Sequence, residues 1–158
     1  MSTILNVVDL RSGTTADLGV VDTIMQSAFD TRFGEAWTRT QCLGILAMPG
    51  VWLTIAASNG EDAGFALSRI IADEAELLLL ATTPAARRRG IGAALLRSVI
   101  TDTIGRGGRT IHLEVRENNG AIKLYQSAGF TKVGERRQYY RGSNGQTFDA
   151  FTFRRELA

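Results

Sequence analysis

Between Ala86 and Leu96 the chain reads ARRRGIGAALL. Three arginines, two glycines one residue apart and a following apolar run suit one kind of chemistry, the holding of phosphate. Glycine lets the backbone curl until successive N–H groups converge on an anion, and the N-terminus of a following helix adds partial positive charge. Arginine side chains can then reach further phosphate oxygens. A solvated arginine turn at a helix start has the same composition, so the local residues leave both readings open. Two familiar phosphate loops do not match. No Lys-Ser or Lys-Thr follows the glycines, as a G-x-x-x-x-G-K-[ST] loop requires. A dinucleotide fingerprint needs Gly or Ala where Leu95 stands, and an opening strand–helix–strand unit, whereas the preceding chain is predicted to be antiparallel. The pattern that remains is R-x-x-G-x-G, Arg87 to Gly92, with a pyrophosphate placed over Arg88–Ala93 and contacted mainly by main chain.

The elements that must carry this loop follow from periodicity. Ile4–Leu10 reads as a strand, and Thr15–Phe29 as a helix capped by Thr14 or Thr15. A short helix over Thr38–Ala47 stops ahead of Pro49. Val51–Ser58 and Ala63–Ala72 are predicted strands around the turn NGED. Glu74–Thr83 is a third strand, whose unbroken LLLLA predicts burial on both faces. The glycine–arginine loop opens a helix with Ile91, Ala94, Leu95, Val99 and Ile104 at apolar positions, ending in GRGG. Along Arg109–Val115, Ile111, Leu113 and Val115 face one way, His112 and Glu114 the other. Ala121–Ala128 is a helix closed by Gly129, and Phe130–Arg137 and Gln146–Arg155 form two antiparallel strands. This order predicts an α/β protein, a mixed sheet with helices packed on it, and residues 1–158 read as one domain.

Composition narrows the classes. A net charge of +2, with acidic residues interspersed, announces no basic face for direct nucleic-acid binding. The longest apolar runs are too short to cross a membrane, and no signal-peptide pattern opens the chain, so a cytoplasmic protein is expected. A single cysteine (Cys42) and a single histidine (His112) argue against a disulfide and against a metal site. Cys42 is expected to be a small buried hydrophobe, and His112 structural or solvent-facing.

Downstream of the loop come HLEVRENN (His112–Asn119) and AIKLYQSAGF (Ala121–Phe130). A strand Glu, a loop Asn, a helix Tyr and a terminal Gly-Phe, all after R-x-x-G-x-G, resemble the GNAT superfamily of acyl-CoA N-acyltransferases over roughly Val51 to the C-terminus. DEAELLLLATTP, LEVRENN, LYQSAGF and RRQYYRGSNGQTFDAF are similar to the RimI-type enzymes within it, as is FGEAWTRTQ (Phe33–Gln41). The resemblance implies the GNAT fold, in which two neighbouring parallel strands splay apart and acetyl-CoA lies in the gap.

Carried over residue by residue, the resemblance assigns backbone groups of Leu80, Ala81 and Thr82 to the pantetheine. It assigns Arg88, Arg89, Gly90, Ile91, Gly92 and Ala93 to the pyrophosphate. Glu114 matches the general base and Tyr125 the general acid that protonates the departing thiolate, its phenol also able to hold the sulfur by a hydrogen bond. The spacing between them is one residue shorter than is common in the family. Counting back from Tyr125 therefore selects Asn118 as the coenzyme-contacting asparagine, while counting forward from Glu114 selects Asn119. Trp37, Tyr139 and Tyr140 resemble acceptor-side residues, core or edge packing being the alternative for each. The implied activity is acetyl transfer from acetyl-CoA, without metal, to the N-terminal alanine of a small-subunit ribosomal protein. A lysine side chain or small-molecule amine is the alternative acceptor, and a non-catalytic acyl-CoA sensor is a further one.

Overall fold

The computed structural model describes residues 7–157, so the Ile4–Asn6 part of the expected first strand lies outside the described residues. Seven strands form one sheet: β1 (Val8–Gly13), β2 (Val51–Ser58), β3 (Glu61–Ile71), β4 (Glu74–Thr82), β5 (Thr110–Arg116), β6 (Thr131–Arg141) and β7 (Thr147–Glu156). Their spatial order is β1-β2-β3-β4-β5-β7-β6. Every neighbouring pair is antiparallel except β4 and β5. Among the described residues four α-helices complete the fold: α1 (Leu18–Ala28), α2 (Arg39–Leu46), α3 (Ile91–Gly105) and α4 (Ile122–Ser127).

The local chemistry behind these elements is visible. Thr14 and Thr38 each close a capping box, with Asp17 and Gln41 respectively, which satisfies two otherwise unpaired donors at each helix start. Asn59 and Gly60 both carry positive φ, the arrangement of a two-residue hairpin turn. Pairing therefore begins at once, Ser58 opposite Glu61, and β3 starts two residues earlier than the hydrophobic pattern suggests.

Helices cover both faces. Leu18, Val21, Ile24 and Met25 of α1 and Cys42 of α2 pack on Leu53, Ile55, Phe65, Leu67, Leu79 and Ala81. On the other face Ile91, Leu95, Leu96 and Val99 of α3 and Tyr125 of α4 pack on Ala66, Ala75, Leu77, Ile111, Leu113 and Phe153. Each fully buried large side chain contributes about 1.5–3 kcal/mol, which makes these two layers the main stabilising contacts.

The run LLLLA is buried on both faces, but not as a regular strand. Leu79 lies opposite Leu67 and Leu77 opposite Ser68, so β4 bulges at Leu78 and its alternation changes phase. Leu77 consequently faces α3, whereas Leu79 and Ala81 face α1. The parallel pairing of β4 with β5 ends just before the bulge, comprising only Glu74–Thr110, Ala75–Ile111 and Glu76–His112. Bulges bend and twist a strand, and here the bend takes β4 away from β5. The sheet opens into a V from Leu77 onward, as the expected fold requires. At Gly64 an added Cβ would lie 2.7 Å from the Ala81 carbonyl oxygen and 2.9 Å from Ile91 Cγ2. Glycine there lets the first turn of α3 settle onto the sheet beside the open end of β4.

β6 runs four residues beyond the expected Arg137. Arg136 lies opposite Ala150 and Tyr140 opposite Phe148, so Arg137–Tyr139 bulge out against Asp149 alone. Gln138 takes positive φ at the apex and donates its N–H to Asp149 Oδ1 at 2.9 Å.

Candidate active site

A cavity of about 880 Å³ fills the V between β4 and β5. Ligand sites are commonly of this size and concavity. Leu80, Ala81 and Thr82 line one wall. Their side chains belong largely to the core, while β4 beyond Glu76 has no strand partner on the β5 side among the described residues. The main-chain edge is thus available while the side chains hold the fold.

Arg88, Gly90, Ile91, Gly92 and Ala93 lie at the mouth of the V. Arg88 and Gly90 adopt left-handed backbone, and α3 begins with no side-chain cap. The contrast with the boxed starts at Thr14 and Thr38 is informative. Ile91, Gly92 and Ala93 carry first-turn N–H groups that a helix cannot satisfy internally, and here they open onto a cavity. At Gly92 a Cβ would come within 3.2 Å of Leu124 Cδ2 of α4, so this glycine keeps α3 close to α4. The arginines divide their duties. Arg87 donates from Nη2 to the Ala28 carbonyl at 2.9 Å, tying the loop to the C-terminal end of α1. Arg89 turns outward and lines a separate groove with Arg97, Ser98 and Asp102.

Glu114 and Tyr125 both reach the cavity, from opposite faces of the sheet. Leu113 and Val115 point into the core that holds Tyr125, so strand alternation sends Glu114 to the other side. Thr152, directly opposite on β7, donates its hydroxyl to Glu114 Oε2 at 2.7 Å. Arg136 Nε lies 3.0 Å from Glu114 Oε1. Tyr140 donates its hydroxyl to the Glu114 carbonyl at 3.4 Å. Tyr125 is held edge-on against Phe130, ring centroids 6.0 Å apart. Burial pushes its phenol above the ordinary range, and the nearby negative charge of Glu35 pushes it further. Tyr140 is raised for the same two leading reasons, with smaller contributions from Tyr139, Glu114 and Tyr125.

The two candidate asparagines part company. Asn118 sits exposed at positive φ and does not line the cavity. Asn119 does, accepting from the Ala121 N–H at 2.8 Å and donating to Glu35 Oε2 at 2.8 Å. Trp37, Tyr139 and Tyr140 all line the cavity, the two tyrosines edge-to-face at 4.9 Å. Cys42 is buried, its thiol raised by burial and then by Asp22, and lies in the α1 layer away from the cleft. His112 is half-buried with Nε2 3.8 Å from Glu76 Oε2.

Sequence reasoning missed Glu35. Its carboxylate, 10% exposed, is bound by Arg116 Nε at 3.0 Å and by Asn119, and Arg116 is itself stacked 3.7 Å over the Phe33 ring. The preceding Gly34 has φ +68°, and a Cβ there would overlap the Arg141 carbonyl oxygen. The loop carrying Glu35 is thereby pressed against the β6–β7 hairpin. An acidic residue in a loop gives no periodic signal, and its partners lie 81 and 84 residues away.

Comparison with known proteins agrees with this geometry. Residues 20–130 match the family model described as the acetyltransferase (GNAT) family. The chain is 43% identical over 89 residues to the [ribosomal protein bS18]-alanine N-acetyltransferase of Escherichia coli K12, covering 56% of this chain and 60% of that protein. The match thus spans about three-fifths of that relative's length. It is 41% identical over 116 residues to the N-alpha-acetyltransferase RimI of Mycobacterium tuberculosis, covering 70% of each. The crystal structure of the E. coli ribosomal-protein-S18-alanine N-acetyltransferase superposes with a TM-score of 0.85 at 32% identity, covering 96% and 95% of the two chains. Arabidopsis thaliana NAA60, solved in complex with acetyl-CoA, shares the fold at a TM-score of 0.81 and 22% identity, over 96% and 99% of the two chains. With a family match over most of its length, the chain, whose sheet parts between β4 and β5, belongs to the GNAT acetyltransferase family.

Proposed function

We propose that this chain moves an acetyl group from acetyl-CoA to the N-terminal alanine α-amine of a small-subunit ribosomal protein, by direct transfer in a ternary complex. The observation that carries the reading is the splay of β4 from β5, which sets an open main-chain edge and an uncapped helix start on one cavity with a carboxylate and a phenol. The likeness to bS18-alanine N-acetyltransferases supports the choice of acceptor.

Acetyl-CoA, as the donor substrate, supplies a thioester carbonyl open to attack and a thiolate that can leave. The residues present fit it. Leu80, Ala81 and Thr82 offer main-chain groups to the pantetheine. The main chain of Arg88 and of Gly90–Ala93 is offered to the pyrophosphate, with Arg89 beside it on the outer side of the loop, and Asn119 is the loop asparagine at the cleft. Glu114 takes the acceptor's proton. An α-amine, with a reference pKa of about 7.7–8.0, is roughly a tenth neutral at pH 7, against less than about a thousandth for a lysine side chain. A positioned carboxylate suffices for that modest task. Main-chain N–H groups where β4 parts from β5 face the developing oxyanion.

Tyr125, which lines the cavity, is the group assigned to the leaving sulfur. Its raised phenol keeps its proton at neutral pH, so it meets the sulfur as a donor, holding the thiolate by a hydrogen bond and serving as the general acid that protonates it.

The test is acetyl transfer to two peptides, one with a free N-terminal alanine and no lysine, the other blocked at its N-terminus with one lysine. Mass spectrometry of the alanine peptide alone gaining an acetyl group is expected. Modification of the lysine alone would return the acceptor to another amine. Glu114→Gln should lose turnover at neutral pH while retaining acetyl-CoA affinity, and wild-type turnover in that variant would remove Glu114 as the base.

A further inference from the structure

The two oxygens of the Glu114 carboxylate are held in unequal ways. Oε2 accepts from Thr152, the residue directly opposite on β7, so that bond is set by sheet register. Oε1 is met by Arg136, the last regularly paired residue before the β6 bulge, on the edge strand of the sheet. The Arg136 side chain is 62% exposed, against 11% for Glu114. One oxygen is fixed by the fold, and the other is covered by an exposed surface cation.

An amine that gives its proton to Glu114, directly or through water, needs a carboxylate oxygen, and Oε2 already accepts from Thr152. That leaves Oε1, the place the guanidinium occupies. An acceptor arriving as an ammonium ion carries the same charge and the same donor chemistry as the group it meets. We propose that Arg136 is a displaceable latch, filling the acceptor ammonium's place on Glu114 in the free protein and yielding it when the acceptor enters. The inference rests on the reading of Glu114 as the base.

The latch is built to open. Arg136 stays largely solvated while it pairs with the nearly buried Glu114, so releasing it to water costs little and changes an equilibrium by a factor of about two to five. A second perch lies close by, the Tyr139 ring, whose centroid is 5.7 Å from Arg136 Cζ. A guanidinium leaving Glu114 is held there by the ring's negative face and stays clear of the incoming amine. Thr152 meanwhile keeps the carboxylate in its orientation. Arg136 acts on the acceptor only through Glu114 and is a positioning residue. The arrangement selects for acceptors that arrive charged and can reach Oε1, because a neutral group brings nothing to offset the lost ion pair.

Steady-state kinetics at saturating acetyl-CoA with the alanine peptide test this in the wild-type chain, Arg136→Ala and Arg136→Lys. The acceptor KM should fall about two- to fivefold in Arg136→Ala, with the gain carried by KM, and Arg136→Lys should lie between. Low-millimolar guanidinium chloride should then compete with the acceptor in Arg136→Ala, restoring a KM near wild type, and should act more weakly on the wild-type chain, whose own arginine fills the place. An unchanged or raised KM in Arg136→Ala, or equal inhibition of both proteins by guanidinium, overturns the latch. If the wild-type chain acetylates no α-amine, or Glu114→Gln turns over normally, the functional reading fails first and the latch falls with it. Those outcomes appear before any Arg136 variant is compared.

Discussion

Glu35 joins the loop after α1 to the β5–α4 loop through a nearly buried carboxylate, and its removal has a calculable cost. In Glu35→Ala, Arg116 loses the acceptor of its Nε at 3.0 Å and Asn119 loses the acceptor of its Nδ2 at 2.8 Å. Both members of the ion pair are about nine-tenths buried, at 10% and 11% exposure. Removing one partner of a buried pair costs about 3–5 kcal/mol, because the remaining charge is left uncompensated. Arg116 keeps the Glu117 carbonyl through Nη1 and its place over Phe33, and the cavity admits water. The low end, about 3 kcal/mol, is therefore expected. With a urea dependence near 2 kcal/mol/M, the unfolding midpoint should fall by about 1.5 M. Arg116→Met in the same background removes the stranded charge, so the double variant should be less destabilised than the sum of the singles by about 1–3 kcal/mol. Urea unfolding at pH 7 with all four proteins measures both quantities. A Glu35→Ala midpoint within about 0.3 M of wild type, or strict additivity of the two substitutions, would refute the reasoning.

Gly92→Val should weaken acetyl-CoA binding, since a side chain there pushes Leu124 and α4 away from the uncapped start of α3. Calorimetric titration with acetyl-CoA checks it, and unchanged affinity would count against the pyrophosphate placement. Gly34→Ala combines a left-handed backbone, costing about 1 kcal/mol for a non-glycine residue, with overlap on the Arg141 carbonyl. It should raise the acceptor KM more than the acetyl-CoA KM, and an equal effect on both would separate this loop from acceptor binding. The raised phenols of Tyr125 and Tyr140 set an alkaline limit. Above pH of about 10 the unfolded chain's tyrosines ionise while these two keep their protons, so the unfolded state binds fewer protons and stability falls as pH rises. The contribution is fully present below that pH. Urea midpoints that stay flat from pH 9 to about pH 11 would contradict it.

Much of the fold was legible because its elements are local. The hairpin at Asn59-Gly60, the capping threonines and Gly129 with its positive φ each state their geometry in one or two residues. The α/β class, the mixed sheet and the loop-to-helix start at Gly90 follow from those signals and from periodicity. The far end of β6 lies beyond its bulge over Arg137–Tyr139, and β4 changes phase at its bulge at Leu78, where alternation breaks and a pattern of period two has nothing to report.

For the site, residue order and the family resemblance it carries pointed to the glycine–arginine loop, the strand carboxylate and the helix phenol as candidates. Each of these is a chemistry that particular side chains or glycines must supply. Tertiary structure decided the remainder. It chose Asn119 over Asn118 for the cleft, turned Arg89 outward, and set Thr152 and Arg136 on the two oxygens of Glu114. It also made a nearly buried carboxylate of Glu35. These choices depend on which of two adjacent residues a turn leaves pointing inward, and on pairings between strands far apart in the chain. A sequence records the identity of such residues, but their distances exist only once β4 has parted from β5 and the edge strands have closed on the gap.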